Sequence, residues 1–469
     1  MKQEVKEEIF RLLELDAAEE LRDWLVQHHI DIDNRYENER SLLHTACYLK
    51  KRKVSEMLIK NGADINAGNM NGTTPFMYAK TNLDEKNFDF LDFLIEKGAD
   101  IEQLDKFGKS VIDYIAEKNN ISLLKYMKNK QNIMNEKIKF AVVGCGHIGK
   151  RHAEMIVRNP ECELVALIDV KDKSVLGIED YNVPFFATLD AFLESGIEAD
   201  IINIASPNGF HFEQAHKVIN SGKHVVVEKP MTLAKNDAEK LIFQALHKHK
   251  QVFAVMQNRY SPPSVWIKEM IESGRLGKIF MVQLNCYWNR DERYYKPESW
   301  HGKQDLDGGT LFTQFSHFID IMYWLFGDIT NIKAKFADFN HENLTDFEDS
   351  GFVSFDFVNG GMGSLNYSTS VWNQNLESSM TIIAENGSVK IGGQYMDKVE
   401  ICNVKDYEMP ELAPTNPGND YGAYKGSAAN HHYIIENVVD VLKGRNAITT
   451  NALEGMKVVD IIERIYQLK

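Results

Sequence analysis

The hexapeptide Gly144-Cys145-Gly146-His147-Ile148-Gly149 follows directly on an apolar run, Lys139 to Val143, and opens an amphipathic stretch from Arg151 to Arg158. A strand, a glycine-rich turn and a helix in immediate succession leave few alternatives to a βαβ unit whose helix N-terminus points its amides at an anion. In such a unit Gly144 permits the tight turn, Gly146 lets the backbone approach a pyrophosphate, and Gly149 allows helix and strand to pack closely; His147 and Ile148 line the same turn. Asp169 ends the next apolar run, Leu164 to Asp169, 20 residues beyond Gly149. A carboxylate at that place accepts hydrogen bonds from an adenosine ribose and repels a 2'-phosphate, so NAD is expected and NADP is less favoured, with Lys171 and Lys173 nearby as the opposing charges.

Further short apolar runs, Ile201 to Ala205, His224 to Val227 and Val252 to Met256, alternate with amphipathic stretches. That is the pattern of a parallel sheet wrapped by helices, the α/β Rossmann class. From about residue 279 the runs become alternating and aromatic: Ile279 to Trp288, Gly351 to Phe357, Gly361 to Tyr367 and Met380 to Ala384. A large antiparallel sheet with one face solvated or paired to another subunit is expected there, giving an α+β domain and a homo-oligomer through that sheet. Helices over Ala428 to Lys443 and Ala452 to Leu468 close the chain, the last packing back on the Rossmann domain.

The first part of the chain repeats itself. Asp31-Ile32-Asp33, Gly62-Ala63-Asp64-Ile65-Asn66 and Gly98-Ala99-Asp100-Ile101-Glu102 align as copies of one turn. Between them fall Ser41-Leu42-Leu43-His44-Thr45-Ala46, Thr74-Pro75-Phe76-Met77-Tyr78-Ala79 and Ser110-Val111-Ile112-Asp113, the second 33 residues after the first and the third three residues late. These helix starts and turns resemble those of ankyrin repeats, which implies an all-α solenoid whose units cover each other's apolar faces. The extra residues near Thr81 to Asn87 fit a longer inter-helix loop. Such a module binds another protein or serves as a spacer. The polar stretch Lys128 to Glu136 lacks a strong apolar period and is read as the boundary, giving an ankyrin domain over 1–131, a Rossmann domain over 137–257 and a substrate and oligomerisation domain over 258–469.

With 469 residues, 43% hydrophobic and 26% charged, the chain is ordinary globular material for two or three domains. A net charge of -15 argues against a nucleic-acid surface. Five scattered cysteines without metal-ligand spacing read as reduced thiols, and no metal site is expected. The start of the chain lacks the apolar core of a signal peptide and no stretch is long and apolar enough to span a bilayer, so a cytoplasmic protein is expected.

Beyond the third strand come Ala205-Ser206-Pro207-Asn208, then His211, and later Gly222-Lys223-His224-Val225-Val226-Val227-Glu228-Lys229-Pro230. These segments resemble the signatures of the glucose-fructose oxidoreductase and inositol dehydrogenase (Gfo/Idh/MocA) family, in order and spacing, from about residue 137 onward. The resemblance implies that Ser206, Asn208, His211, Glu228 and Lys229 adjoin the cofactor, and that a cis peptide precedes Pro230. It implies that Lys229 donates to the substrate oxygen, where a fixed ammonium stabilises an alkoxide-like charge. Asp307-Gly308-Gly309-Thr310-Leu311-Phe312-Thr313-Gln314-Phe315-Ser316-His317 resembles the family's glycine-rich turn and active-site helix, with His317 as the general base. Many members carry aspartate four residues before this histidine; here Thr313 stands there, a residue that hydrogen-bonds but carries no charge.

The segment Tyr287 to Gly302 concentrates aromatic and basic residues, a mixture suited to a sugar bearing negative charge. It is similar to the loop of the UDP-N-acetylglucosaminuronate 3-dehydrogenase branch, which implies a nucleotide-linked sugar acid as substrate. Arg290, Tyr295 and Trp300, with Arg259 and Tyr260 after the last Rossmann strand, are the substrate-binding candidates. An inositol or simple-sugar dehydrogenase, or a dinucleotide-binding scaffold with an ankyrin interaction module, remain the alternatives.

If Asp169 holds the adenosine ribose, Asp169→Ala weakens NAD binding much more than NADP binding, because one loses a hydrogen bond and the other a repulsion. Parallel cofactor titrations decide this, and equal losses would remove the assignment.

Overall fold

The computed structural model describes residues 3–33, 35, 39–81, 88–118, 120–420 and 425–469. It divides into two compact units, residues 1–136 with 439–447 and residues 137–438 with 448–469.

The first unit is helical: α1 (Gln3–Glu14), α2 (Ala18–Gln27), α3 (Leu42–Tyr48), α4 (Arg52–Lys60), α5 (Pro75–Ala79), α6 (Asp89–Glu96), α7 (Val111–Glu117) and α8 (Ile121–Asn135). The three aligned polar-apolar segments start helices because each supplies an N-cap. Ser41 and His44 form a capping box, the Thr74 hydroxyl accepts the Met77 N–H with Pro75 in the first turn, and Ser110 pairs with Asp113 in a second box. Successive turns are laced together by side chains on backbone: Asn66 Nδ2 donates to Gly98 O at 3.0 Å while Asn66 Oδ1 accepts the Asp100 N–H at 2.8 Å. Leu21, Leu43, Leu58, Leu91 and Leu94 are buried in one continuous core, as stacked repeats require. The polar stretch read as the domain boundary is helical up to Asn135, and within it Lys128 and Asn129 are exposed. The longer loop expected over Thr81 to Asn87 lies, except for Thr81, outside the described residues.

The second unit begins with a six-stranded sheet. Its elements are β1 (Ile138–Val143), α9 (His147–Arg158), β2 (Cys162–Ile168), α10 (Lys173–Leu176), β3 (Phe185–Phe186), α11 (Leu189–Glu194), β4 (Ile201–Ile204), α12 (His211–Asn220), β5 (His224–Val227), α13 (Lys235–Lys248) and β6 (Val252–Ala254). The strand order is β3-β2-β1-β4-β5-β6, all parallel. Ile201, Ile202 and Val225 to Val227 are fully buried, which is why these runs read as continuously apolar. The order reverses between β1 and β4, and a doubly wound sheet binds its ligand in the crevice beyond the carboxyl ends at that point.

Then follow α14 (Pro262–Glu272), β7 (Ile279–Tyr287), α15 (Ser316–Phe326), β8 (Ile329–Ala337), β9 (Ser350–Phe357), β10 (Met362–Ser368), β11 (Glu377–Ala384), β12 (Gly387–Gly392), β13 (Lys398–Val404), the pair β14 (Gly418–Asp420) and β15 (Lys425–Ala428), α16 (His431–Leu442) and α17 (Ala452–Tyr466). The seven-stranded sheet runs β13-β12-β11-β7-β10-β9-β8. It is mixed rather than antiparallel throughout: β10 lies parallel to β7, with Met362 opposite Met281, because a helix and two strands intervene before the chain returns beside β7. Alternation is strict in β9, where Val353, Phe355 and Phe357 are buried and Phe352 is exposed, so one face packs on α15 and α17 and the other is open.

The tightest backbone contact of the unit lies in the glycine turn. A Cβ on Gly149 would sit 1.7 Å from the Gly144 carbonyl oxygen, so α9 can approach β1 only with glycine there. Gly149→Ala displaces the helix from the strand at a cost of at least ~1–3 kcal/mol. Thermal unfolding combined with NAD titration should show lowered stability and lost cofactor affinity together.

Candidate active site

The glycine turn has the shape of a cofactor cradle. Gly144 has φ +83°, and a Cβ on it would meet the Ser206 amide at 2.5 Å, so the loops beyond β1 and β4 touch through bare backbone. Gly146 caps α9 and faces open space: a Cβ there meets nothing within 4 Å, which leaves room for a pyrophosphate at the helix N-terminus. Asp169 is held by two backbone donors, the Cys145 N–H at 2.6 Å and the Lys171 N–H at 2.9 Å. That anchors the carboxylate at the end of β2 against the glycine turn. These features fit a bound dinucleotide.

The turn opens into a cavity of about 680 Å³. Gly144, Gly146, His147, Ile148, Asp169, Ser206, Asn208, His211, Glu228, Lys229, Arg290, Trp300, Thr313 and His317 all line it, so the structure brings together nearly every residue singled out in the sequence. Gly149 lies beneath the turn, against the Gly144 carbonyl. His211 braces two loops, its Nδ1 on Pro230 O at 2.7 Å and its Nε2 on Ser206 O at 2.9 Å; a neutral ring donates to one of them at a time. The Lys229-Pro230 peptide is cis.

Glu228 and Lys229 end β5 inside the cavity. Glu228 Oε1 meets His152 Nε2 at 2.9 Å and His431 Nε2 at 3.4 Å. Burial alone would raise this carboxyl, but the His152 hydrogen bond and the adjacent His431 imidazole overcome it and hold Glu228 well below the usual carboxylate range. Three metal-capable atoms of His152, Glu228 and His431 thus lie within 4.8 Å of one another. His152 Nδ1 accepts from Asn203 Nδ2 at 2.9 Å, which leaves its Nε2 carrying the proton it gives to Glu228.

Lys229 Nζ donates to the Thr313 carbonyl at 2.6 Å. Burial lowers the pKa of its ammonium, against Glu228 and Asp307, which raise it. The residues Leu311–Phe315 form a π-helical turn that runs straight into α15, so Thr313 is not the plain α-turn neighbour of His317 that the four-residue spacing suggests. The Thr313 hydroxyl is engaged by Asn208 and Asp307 instead. His317 is buried, its pKa pushed well down by burial and by Lys229, and its Nδ1 has no hydrogen-bond partner among the described residues. It is therefore neutral near pH 7 with a lone pair available.

The expected substrate contacts divide. Arg290 lies in the wall, its guanidinium 4.8 Å from the Trp288 ring centroid and 5.1 Å from that of Tyr294, with Nε on Gln314 Oε1 at 2.8 Å. Trp300 stacks on His301 at 4.0 Å, also in the wall. Tyr295 does not reach the cavity; it turns into a small cluster with Phe347, and the neighbouring Tyr294 faces the cavity in its place. Arg259 and Tyr260 are likewise elsewhere. Arg259 is buried in a two-pronged ion pair with Asp320, at 2.5 and 2.8 Å, and reaches Glu454 at 2.7 Å. Tyr260 stacks on Tyr433 at 5.2 Å and bonds Thr449. A basic and an aromatic residue after a strand carry no signal of which way they point. Conversely, His301, Gln314, Gln257 and His431 line the cavity without being singled out in the sequence. His301 sits in the aromatic segment and Gln314 beside Thr313, but His431 comes from α16 by tertiary packing alone. Burial, with Arg290, pushes His301 down to about 3, so it too is neutral.

A parallel sheet that carries a glycine cradle and a lysine, joined to a second domain that brings a neutral histidine over the same cavity, defines an NAD-binding oxidoreductase of the dehydrogenase class acting on CH–OH groups. The comparisons with known proteins agree. Residues 138–256 match the model of the oxidoreductase family with NAD-binding Rossmann fold, residues 265–390 that of the GFO/IDH/MocA C-terminal domain, and residues 15–105 that of ankyrin repeats in three copies. Solved structures similar to this chain include the WlbA dehydrogenase of Bordetella pertussis in complex with NADH and UDP-GlcNAcA, 31% identical, with TM-score 0.62, covering 71% of this chain and 96% of that one. The WlbA dehydrogenase of Chromobacterium violaceum, in complex with the same two ligands, is 29% identical with TM-score 0.62 and coverages of 71% and 94%. Among curated sequences, an uncharacterized oxidoreductase of Synechocystis is 27% identical over 220 residues, 45% of this chain and 57% of that one. The chain belongs to the Gfo/Idh/MocA oxidoreductase family, with ankyrin repeats preceding the dinucleotide domain. No helix of the described residues is long and apolar enough to cross a membrane.

Because Arg259 neutralises a buried carboxylate, Arg259→Met leaves Asp320 uncompensated and destabilises the protein by ~3–5 kcal/mol. Denaturant unfolding at neutral pH measures this. A variant of unchanged stability with selectively weakened substrate binding would return Arg259 to the substrate site.

Proposed function

We propose that this protein transfers a hydride between a ring hydroxyl carbon of a nucleotide-linked sugar acid and NAD, as a UDP-N-acetylglucosaminuronate 3-dehydrogenase-like enzyme. The observation that carries this reading is a single cavity holding the glycine cradle, Lys229, His317 and a wall of Arg290, Trp288, Tyr294, Trp300 and His301. Bound NAD+ supplies the hydride acceptor. Neutral His317 accepts the hydroxyl proton as general base, and Lys229, fixed on the Thr313 carbonyl, stabilises the oxygen as it becomes a carbonyl. Arg290, clasped between aromatic faces, offers a guanidinium to a carboxylate or diphosphate, while the rings of Trp300 and Tyr294 suit the C–H faces of a pyranose. The likeness to two dehydrogenases crystallised with NADH and UDP-GlcNAcA supports the same substrate class.

Two associations belong to this reading. The ankyrin unit exposes Met70, Leu104 and Phe107 on its inter-helix loops, apolar contacts suited to a protein partner. The open face of the seven-stranded sheet carries Met362, Met281 and Ile383 side by side across three strands, suited to a second copy of the chain.

The test is NADH formation with UDP-N-acetylglucosaminuronate beside free sugars and inositols. Turnover is expected with the nucleotide-linked acid. Lys229→Met should keep NAD affinity and lose ~10²- to 10⁴-fold in rate, and His317→Asn a loss of the same order. Unchanged turnover in the Lys229 variant would end the mechanism. Reduction by inositols or free sugars alone would make the protein a simple-polyol dehydrogenase, and no turnover on any of them a dinucleotide-binding scaffold.

A further inference from the structure

Asp307 opens the glycine-rich turn, is 1% exposed, and is not itself in the cavity wall. Asn208 Nδ2 donates to the Asp307 carbonyl at 2.8 Å, and since a carbonyl only accepts, the amide nitrogen of Asn208 must point that way. The same nitrogen lies 2.7 Å from Thr313 Oγ1, so Thr313 accepts from Asn208 and its one hydroxyl proton is left for Asp307, whose carboxylate Oδ1 and carbonyl oxygen, the latter at 3.0 Å, both lie within its reach. The Gly302 N–H donates to the other carboxylate oxygen at 2.8 Å. Both carboxylate oxygens of Asp307 thus face hydrogen-bond donors, an arrangement that suits an ionised carboxylate. Thr313 stands between two charges, with the Lys229 ammonium on its carbonyl and the Asp307 carboxylate on its hydroxyl.

We propose that Asp307 is the positioning residue of this site, placing through Thr313 a negative charge near Lys229 and so keeping its ammonium charged and aimed. This rests on the reading of Lys229 as the group that stabilises the substrate oxygen. The other charged and titratable groups facing Lys229 are Glu228 from β5, Arg290 beyond β7, His301 in the loop that follows, His317 on α15 and His211 on α12. Of these, Glu228 shares the sign of Asp307, Arg290 opposes it, and the three imidazoles are lowered and neutral at pH 7. Burial pushes Asp307 up to about 6, so it is mostly ionised at neutrality, with Lys229 among the groups that hold it there.

The charge can be moved without being removed. Competitive acetylation of the full-length protein across pH, with the Lys229 peptide read by mass spectrometry against exposed lysines, reports the pH at which Lys229 loses its proton and needs no substrate. In Asp307→Asn that midpoint should fall by about one pH unit, the effect of losing one nearby opposite charge. In Asp307→Asn/Thr313→Asp, where the carboxylate returns at the neighbouring position, it should recover to the wild-type value. An unchanged midpoint in the single variant, or a double variant that stays low, would overturn the proposal. Should the single variant fail to fold, the double variant decides alone against wild type. A shifted and restored midpoint in a protein that turns over no sugar would strike the proposed reaction and leave the role of Asp307 standing.

Discussion

The hydrogen bond from Lys229 Nζ to the Thr313 carbonyl is the point at which two separately built sheets become one site. Lys229 is delivered by the carboxyl end of a parallel strand, and Thr313 by a π turn leading into the helix that packs on the seven-stranded sheet. Neither domain alone presents Lys229 beside His317. The cradle of Gly144, Gly146 and Gly149 sets where a dinucleotide lies, and the lysine bond sets where the second domain stands relative to it. A shift of an ångström between the two would part Lys229 from its partner, and the contact is made by backbone and a half-buried side chain rather than by surface loops.

Around that bond, burial sorts charges by type. Histidines are the cheapest groups to discharge, and His317 and His301 are both kept neutral by desolvation together with the cations Lys229 and Arg290. The carboxylates are treated in the opposite way: Glu228 is held ionised by two imidazoles and Asp307 by a hydroxyl and backbone amides. Arg259 and Asp320 show the same rule outside the cavity, a buried pair that ties α15 to the turn after β6.

The dinucleotide half was legible because its signals are local. Glycine positions follow from backbone approach, and strands buried on both faces read as apolar runs, so β1, β2, β4, β5 and β6 stood within two residues of their expected ends. Strand β8, with mostly exposed alternating polar residues, and the short pair β14 and β15 carry no such pattern; they exist because a neighbouring strand supplies their hydrogen bonds. The parallel placing of β10 beside β7 is a topological fact to which alternation is blind. In the site, motif residues were legible and orientation was not. Tyr294 and Tyr295 are adjacent in sequence, yet one lines the cavity and the other packs against Phe347. The family pattern drew attention to Thr313 for what it lacks, whereas the carboxylate that reaches its hydroxyl comes from six residues upstream, where no sequence period connects them.

The π turn at Leu311–Phe315 also bears on how this chain can drift over time. A π turn amounts to one residue more than an α-helix would use over the same rise, held because the surrounding contacts tolerate the widened loop. Loss of any one residue between Gly309 and Ser316 would let the helix relax to ordinary α geometry, turning everything upstream by roughly 100° about its axis relative to His317. A surface loop can lengthen or shorten without touching the site; this segment cannot, because its length sets where the Thr313 carbonyl meets the lysine.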